Sequence, residues 1–183
     1  MSEKELITGC QQNDNVCRRY LYEQYAKMMM GICFRYTGDT ASAEDILHDG
    51  FIRIFESIHS FQYRGEGSLR AWMSRIFMNL ALEFLRKNNQ ITESLASDDW
   101  KETESVNEED FEVIPLDVLM GFIAELPSGY RTIFNLNTFE DMSHKEIAKI
   151  LNIHESSSRS QLSRAKSILT KKINNYIHIH GER

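Results

Sequence analysis

The stretch MSHKEIAKILNIHESSSRSQLSRAKSILTKK, Met142–Lys172, decides the fold class of this 183-residue chain. Ser143 and Glu146 form an S-x-x-E capping box, so a helix is predicted to start at Ser143. Ile147, Ala148 and Leu151 recur at the spacing of an inward helical face. Asn152 is one of the two residue types that commonly end a helix in the left-handed conformation, and Ile153 plugs the corner. A second helix follows from about Glu155, with Leu162, Ala165 and Leu169 turned inward. A capped helix, a tight turn and a polar second helix together make the helix-turn-helix pattern.

The second helix is basic in an acidic chain. Five Lys or Arg and no acid lie between Ser156 and Lys172, against a net charge of −6 overall. Ser156 and Ser157 open the helix, and Arg159, Ser160, Ser163, Arg164, Ser167 and Lys171 continue its outward face. Small hydroxyl side chains let a helix approach a groove closely, and arginines pair with guanine edges or phosphates. The pattern predicts that this face meets DNA. Ser158 is a departure, because helix-turn-helix proteins usually bury Val or Ile there. The expectation is looser packing, or a hydroxyl bonded back to a carbonyl.

Charge divides the chain into three parts. Residues 1–90 carry 11 basic and 11 acidic side chains, residues 91–115 carry Lys101 against nine acids, and residues 116–183 carry nine basic and seven acidic. The middle segment has no helical apolar stripe and reads as a solvated acidic linker between two small helical domains. Only Pro115 and Pro127 interrupt the chain, and no sustained alternation of apolar and polar residues suggests a strand. The fold class expected is all-α. Cys10, Cys17 and Cys33 lack metal-ligand spacing and are odd in number, so they read as reduced thiols. The start has no signal-peptide pattern and no apolar run reaches membrane-spanning length, which implies a cytoplasmic protein without membrane insertion.

Four helices are predicted in the first part. A short one lies around Glu3–Gln12; a second places Leu21, Tyr25, Met28, Met29, Ile32 and Tyr36 on one face. Asp39 or Thr40 caps a third, with Leu47, Phe51, Ile54, Phe55 and Ile58 inward. After the loop HSFQYRGEGS, a fourth carries a stripe of Leu69, Trp72, Met73, Ile76, Leu80 and Phe84. Its opposite face holds Arg75, Asn79, Glu83 and Arg86. In the third part, Leu116, Leu119, Ile123 and Leu126 form a stripe that ends at Pro127. His178 and His180 fall in a tail expected to fray. Glu44, Asp45, His48 and Asp49 share one side of the third helix, as ligands of a bundle metal site would. No matching Glu and His face them from another helix, so they read as a solvated or partner-binding surface. No nucleophile-base or phosphate-loop pattern occurs, so no metal, no cofactor and no enzymatic activity are expected.

Three stretches carry a family resemblance. AEDILHDGFIRIF resembles the region-two helix of the extracytoplasmic-function (ECF) sigma factors, in the sigma-70 family of bacterial RNA polymerase. FQYRGEGSLRAWMSRIFMNLALEFLRK resembles the stretch that follows it, and LPSGYRTIFNLNTFEDMSHKEIAKILNIHESSSRSQLSRAKSIL resembles region four. The resemblance implies that residues 1–90 are region two, 91–115 a linker and 116–183 region four. It implies that Asp45, His48, Phe51 and Ile52 dock on the clamp helices of the polymerase's largest subunit, with the flap of the second-largest subunit as a further contact. Arg64 in the loop, with Asn79 and Arg86, would hold the unpaired downstream (−10) strand. The helix from Ser156 would read the upstream (−35) duplex, and Gln161, where the family usually has Arg, would favour adenine. His48, Glu83 and Ser158 are the other departures. An anti-sigma factor is the implied inhibitory partner. The rival reading is a stand-alone helix-turn-helix regulator, which would need a ligand pocket or a dimer seam in residues 1–90.

Overall fold

Eight α-helices and no strand make up the described residues, 1–88 and 114–180, of the computed structural model. The architecture is all-α. Apart from Ile114 and Pro115, the acidic segment assigned to residues 91–115 lies outside the described residues. The chain forms two compact units, Met1–Leu85 and Arg86–Arg183.

Local capping sets the helix starts in the first unit. Ser2 and Glu5 form a capping box at α1 (Glu3–Gln11), with Ser2 N donating to Glu5 Oε2 at 2.8 Å. The bonds from Ser2 hold the Glu5 carboxyl below the usual carboxylate range. Asp14 caps α2 (Asn15–Thr37) by accepting from Val16 N at 2.7 Å. Gly38, at φ 78°, ends α2 in the left-handed conformation that an L side chain resists. Asp39 then caps α3 (Thr40–Ser57), accepting from Ser42 N at 2.8 Å. A 3₁₀ turn, Ile58–Ser60, leads through a loop to α4 (Ser68–Lys87).

The core of this unit differs from the expected stripes in three places. On α3 it is Ile46 that is buried with Phe51, Ile54 and Ile58, while Leu47 and Phe55 are half-buried. On α2, Tyr25 and Met28 are half-buried beside the buried Leu21, Met29, Ile32 and Tyr36. On α4 the buried ridge is Leu69, Met73, Phe77, Met78, Ala81, Leu82 and Leu85. Trp72, Ile76, Leu80 and Phe84 run half-exposed along its flank. The rotation has a steric cause: a Cβ on Gly50 would collide with the Phe77 ring, so the bare backbone of α3 is the seat for that ring. Phe51 supports it edge-on, with ring centroids 5.5 Å apart. Cys10, Cys17 and Cys33 are buried and unpaired; burial pushes the Cys10 thiol up to about 11 and Cys33 to about 12, which suppresses the thiolate.

The second unit comprises α5 (Leu116–Ala124), α6 (Ser128–Thr138), α7 (His144–Leu151) and α8 (Glu155–His180). Ile114, Ile123, Leu126, Tyr130, Ala165, Leu169 and Ile173 form its buried cluster. Leu116 does not join it: its place in the first turn of α5 leaves it 74% exposed. Nor does the tail fray at the histidines. Helix α8 continues through His180, whose ring stacks on Tyr176 at 4.2 Å between centroids. Among the described residues, no helix is long and apolar enough to cross a membrane.

Candidate nucleic-acid interface

The second unit builds its surface on two helices joined by a tight corner. Ser143 N donates to Glu146 Oε2 at 2.9 Å and Glu146 N donates to Ser143 Oγ at 3.3 Å, which fixes the start of α7. The Ser143 hydroxyl, which donates to Glu146 Oε2 at 2.6 Å, and then the Ser143 backbone N–H hold the Glu146 carboxyl below the usual carboxylate range. Asn152 ends the helix at φ 55° and ψ 50°, and Ile153 N returns to Ala148 O at 3.0 Å. The chain thereby turns into α8 within three residues.

Ser158 locks this corner from inside. It is fully buried, and its Oγ lies 2.9 Å from His144 Nδ1 at the start of α7. The hydroxyl therefore pairs with an imidazole on the neighbouring helix, where looser packing or a back-bond to a carbonyl was expected. A buried polar group needs such a partner, and the pairing ties the two helices together. Gln161 corrects the sequence reading more sharply. It lies one turn beyond Ser158 on the same inward stripe, is 5% exposed, and has its Oε1 buried without a hydrogen bond. A side chain so placed does not reach a base edge.

The other residues of α8 that were expected to face DNA sort by exposure. Ser156, Arg159, Ser160, Ser163 and Lys171 are exposed, whereas Ser157, Arg164 and Ser167 are half-buried. Arg159 Nη1 pairs with Glu155 Oε1 at 2.8 Å, one helical turn back. Arg164 Nη1 leans toward the Tyr130 hydroxyl at 3.4 Å. Ser160 donates to Ser157 O at 3.1 Å, which folds its hydroxyl against the helix. Lys145 and Lys149 on α7, and Lys166 on α8, are exposed cations that the sequence reading passed over. The i, i+4 spacing of the first pair, beside a helix-turn-helix corner, was the signal available.

Arg64 is exposed in the loop before α4, and Asn79 and Arg86 are exposed on α4. Asn79 and Arg86 stand about 10 Å apart along the helix axis, at about 1.5 Å rise per residue. Arg64 precedes the helix start, with its N–H donating to Ser68 Oγ at 3.2 Å. Gly65 and Gly67, at φ 117° and 83°, shape the loop between. Trp72, assigned to the core by its spacing, is half-buried, with its ring 4.9 Å from that of Phe61.

The expected polymerase-facing set also changes. Asp45, His48 and Ile52 are exposed on α3, Ile52 at 45%. Phe51 is 4% exposed, enclosed by Tyr22 at 4.6 Å and Phe77 at 5.5 Å between ring centroids. It is a core residue, unavailable to a partner. The physical reason is that Phe51 lies on the same side of α3 as Ile54, about one helical turn on, and Ile58, about two turns on at the helix end.

Residues 21–91 match the model of Sigma-70 region 2, and residues 116–169 match that of Sigma-70 region 4. The ECF RNA polymerase sigma factor SigM of Bacillus subtilis is 28% identical over 152 residues, covering 81% of this chain and 90% of that protein. SigW of the same organism is 28% identical over 185 residues, covering 94% and 97% of the two chains. The ECF RNA polymerase sigma-E factor of Haemophilus influenzae is 26% identical, covering 94% and 96%. In fold, the chain is similar to the sigma factor RpoE of Bartonella quintana, solved with the anti-sigma factor NepR. The TM-score is 0.50 at 16% identity, over 85% of this chain and 96% of that one. With both sigma regions matched in order, and relatives that span nearly its whole length, the chain belongs to the ECF sigma factors of the sigma-70 family.

Proposed function

We propose that the chain directs a bacterial RNA polymerase core to promoters and supports strand opening there, without catalysing a reaction itself. Residues 1–90 serve as region two, 91–115 as the linker and 116–183 as region four. The observation that carries this reading is that one chain bears two exposed polar surfaces of different kinds. A helix-turn-helix with exposed Arg159, Ser156 and Ser163 suits a duplex groove. A glycine-shaped loop and a polar helix face suit an unpaired strand. A stand-alone regulator would use only the first, and the region-2 match of the N-terminal half weighs against it.

In this reading α8 enters the major groove at the upstream element, while Lys145 and Lys149 on α7 contact phosphates as the first helix crosses the backbone. Arg64, Asn79 and Arg86 follow the downstream strand. Taking a base out of the stack costs about a few kcal/mol, which contacts along α4 and the loop offset. Asp45, His48 and Ile52 face the clamp helices of the largest subunit, and the second unit meets the flap of the second-largest. An anti-sigma protein is a further expected partner, by analogy with RpoE and NepR. A purified-component assay tests the whole: this chain added to core polymerase should start transcripts at one promoter, and DNA binding without programmed initiation would restore the regulator reading.

Two substitutions on α8 should act in opposite directions. Arg159→Ala is expected to weaken binding to the upstream duplex by about 1–3 kcal/mol if the guanidinium reads a base. Glu155→Ala removes the carboxylate that holds Arg159 and repels phosphates. It should tighten binding and steepen the salt dependence by about one. Fluorescence anisotropy at several salt concentrations measures both, and parent-like values for the pair would take the first turns of α8 out of the interface.

On α4, Asn79→Ala should leave polymerase docking and duplex binding intact but weaken open-complex formation by about 1 kcal/mol, the net worth of one hydrogen bond. The defect should shrink on a template already mismatched at the downstream element, where the unpairing cost is largely absent. Permanganate footprinting on matched and bubble templates distinguishes the cases. A parent-like result on both would move the strand surface off this face.

A further inference from the structure

The loop proposed to capture the strand is held at both ends by α1, a helix that precedes the region-2 match beginning at residue 21. At its far end the Glu3 carboxylate accepts from Gly67 N at 2.8 Å, from Leu69 N at 3.1 Å and from Ser68 Oγ at 3.4 Å. At its near end Gln11 Nε2 donates to Ile58 O at 3.1 Å and to Phe61 O at 2.9 Å. The residue before α4 is Gly67, which has no side chain with which to cap the helix. The anionic group that satisfies the first amides and complements the helix dipole is therefore supplied from 64 residues away.

Glu3 and Gln11 lie eight residues apart on one helix, about 12 Å along its axis. They fix the span of the loop from Ile58 to Leu69. Inside the loop, Arg64 N donates to Ser68 Oγ at 3.2 Å and Ser68 N to Gly65 O at 3.1 Å, so the far end is bonded again to itself. Gln62, Tyr63 and Arg64 remain exposed at the apex. A loop with fixed ends and a free apex binds without first losing the entropy of its own closure.

We propose that α1 is a brace that pre-organises the strand-capturing loop, with Glu3 and Gln11 as positioning residues for promoter opening. The inference rests on the reading that this loop meets the unpaired strand. Releasing either end should leave the apex side chains in place chemically but require the loop to be ordered at the moment of capture. The effect should fall on the opening step and not on promoter encounter.

The test uses full-length chain with core polymerase, on a promoter fragment selected with the parent holoenzyme. Glu3→Gln removes the charge at the α4 terminus, and Gln11→Glu keeps the side-chain size but cannot donate to two carbonyl oxygens. Each is expected to slow isomerisation to the open complex about tenfold, with the initial binding constant and core-polymerase affinity unchanged. Faster amide exchange at Gly67 and Leu69 should accompany Glu3→Gln. If Glu3→Gln lowers the unfolding midpoint, Gln11→Glu decides, since its bonds lie at the near end of the loop, on Ile58 O and Phe61 O, away from the start of α4. Parent-like opening in both variants, while Arg64→Ala is slowed, would overturn the brace and leave the strand-capture reading standing. Parent-like opening in Arg64→Ala as well would overturn both. Loss of polymerase affinity in step with opening would reduce the contacts to a structural role and overturn the proposal.

Discussion

Gly50→Ala is expected to destabilise the N-terminal unit by about 3 kcal/mol or more, at the upper end of what overpacking costs. The added Cβ would meet three atoms of the Phe77 ring, all at 2.6 Å or closer. The ring has nowhere to go: Phe77 is fully buried and Phe51 packs edge-on against it. Relief therefore requires α3 and α4 to separate, which opens cavities along the buried ridge from Leu69 to Leu85. A unit of this size is stabilised by only about 4–13 kcal/mol, at about 0.05–0.15 kcal/mol per residue. The unfolding midpoint should drop by about 10–20 °C, read by calorimetry or circular dichroism. Polymerase binding should fall with it, since Asp45, His48 and Ile52 share α3 with Gly50. Pairing the change with Phe77→Leu should recover part of the loss, because the two substitutions act on one contact and are not additive. A parent-like midpoint for Gly50→Ala would show that α3 and α4 do not meet at this point.

The Gly50–Phe77 contact also explains where sequence reading stopped. Local signals were legible because they are satisfied within a few residues: Asp39 as a cap, the Ser143–Glu146 box, Asn152 as the left-handed stop. Helix α4 is apolar around much of its circumference, so periodicity left two adjacent stripes open, and a glycine on another helix chose between them. Phe51 and Gln161 were misassigned for a related reason. A motif position says which residue type recurs, while burial depends on the direction of the side chain on this particular helix. Ser158 was rightly seen as buried, yet its partner His144 lies on the preceding helix and gives no signal in the spacing. Glu3, Gln11 and Arg131 were passed over altogether. Each is a polar side chain satisfied by backbone groups outside its own helix, and apolar periodicity carries no information about such bonds.

Arg131 is the polar anchor of the second unit, and its loss should be as damaging there as Gly50→Ala is in the first. It is 6% exposed, in the first turn of α6. Its Nη1 donates to Ala124 O, at the end of α5, and to Leu126 O at 3.2 Å. A helix ends with carbonyls that have no partner within the helix, and burying them unpaired is costly. Here one guanidinium, itself favoured at the negative end of the α5 dipole, satisfies carbonyls on both sides of the corner that precedes Pro127. Arg131→Met keeps much of the volume but leaves those oxygens without donors. Because two carbonyls at a buried corner lose their donor, the expected cost is about 2–6 kcal/mol, at about 1–3 kcal/mol for each group left unsatisfied. Arg131→Lys should lose less, about 1–2 kcal/mol, since an ammonium retains the charge but not the planar fork that reaches two carbonyls at once. Segment-resolved amide exchange on the full chain separates this from a general effect. Protection should fall across α5 to α8 while α2, α3 and α4 keep theirs. Upstream-duplex binding should be lost and polymerase docking retained. Parent-like exchange in Arg131→Met would mean that water replaces the guanidinium at no cost, and the corner would then owe its stability to Ile123, Leu126 and Tyr130 alone.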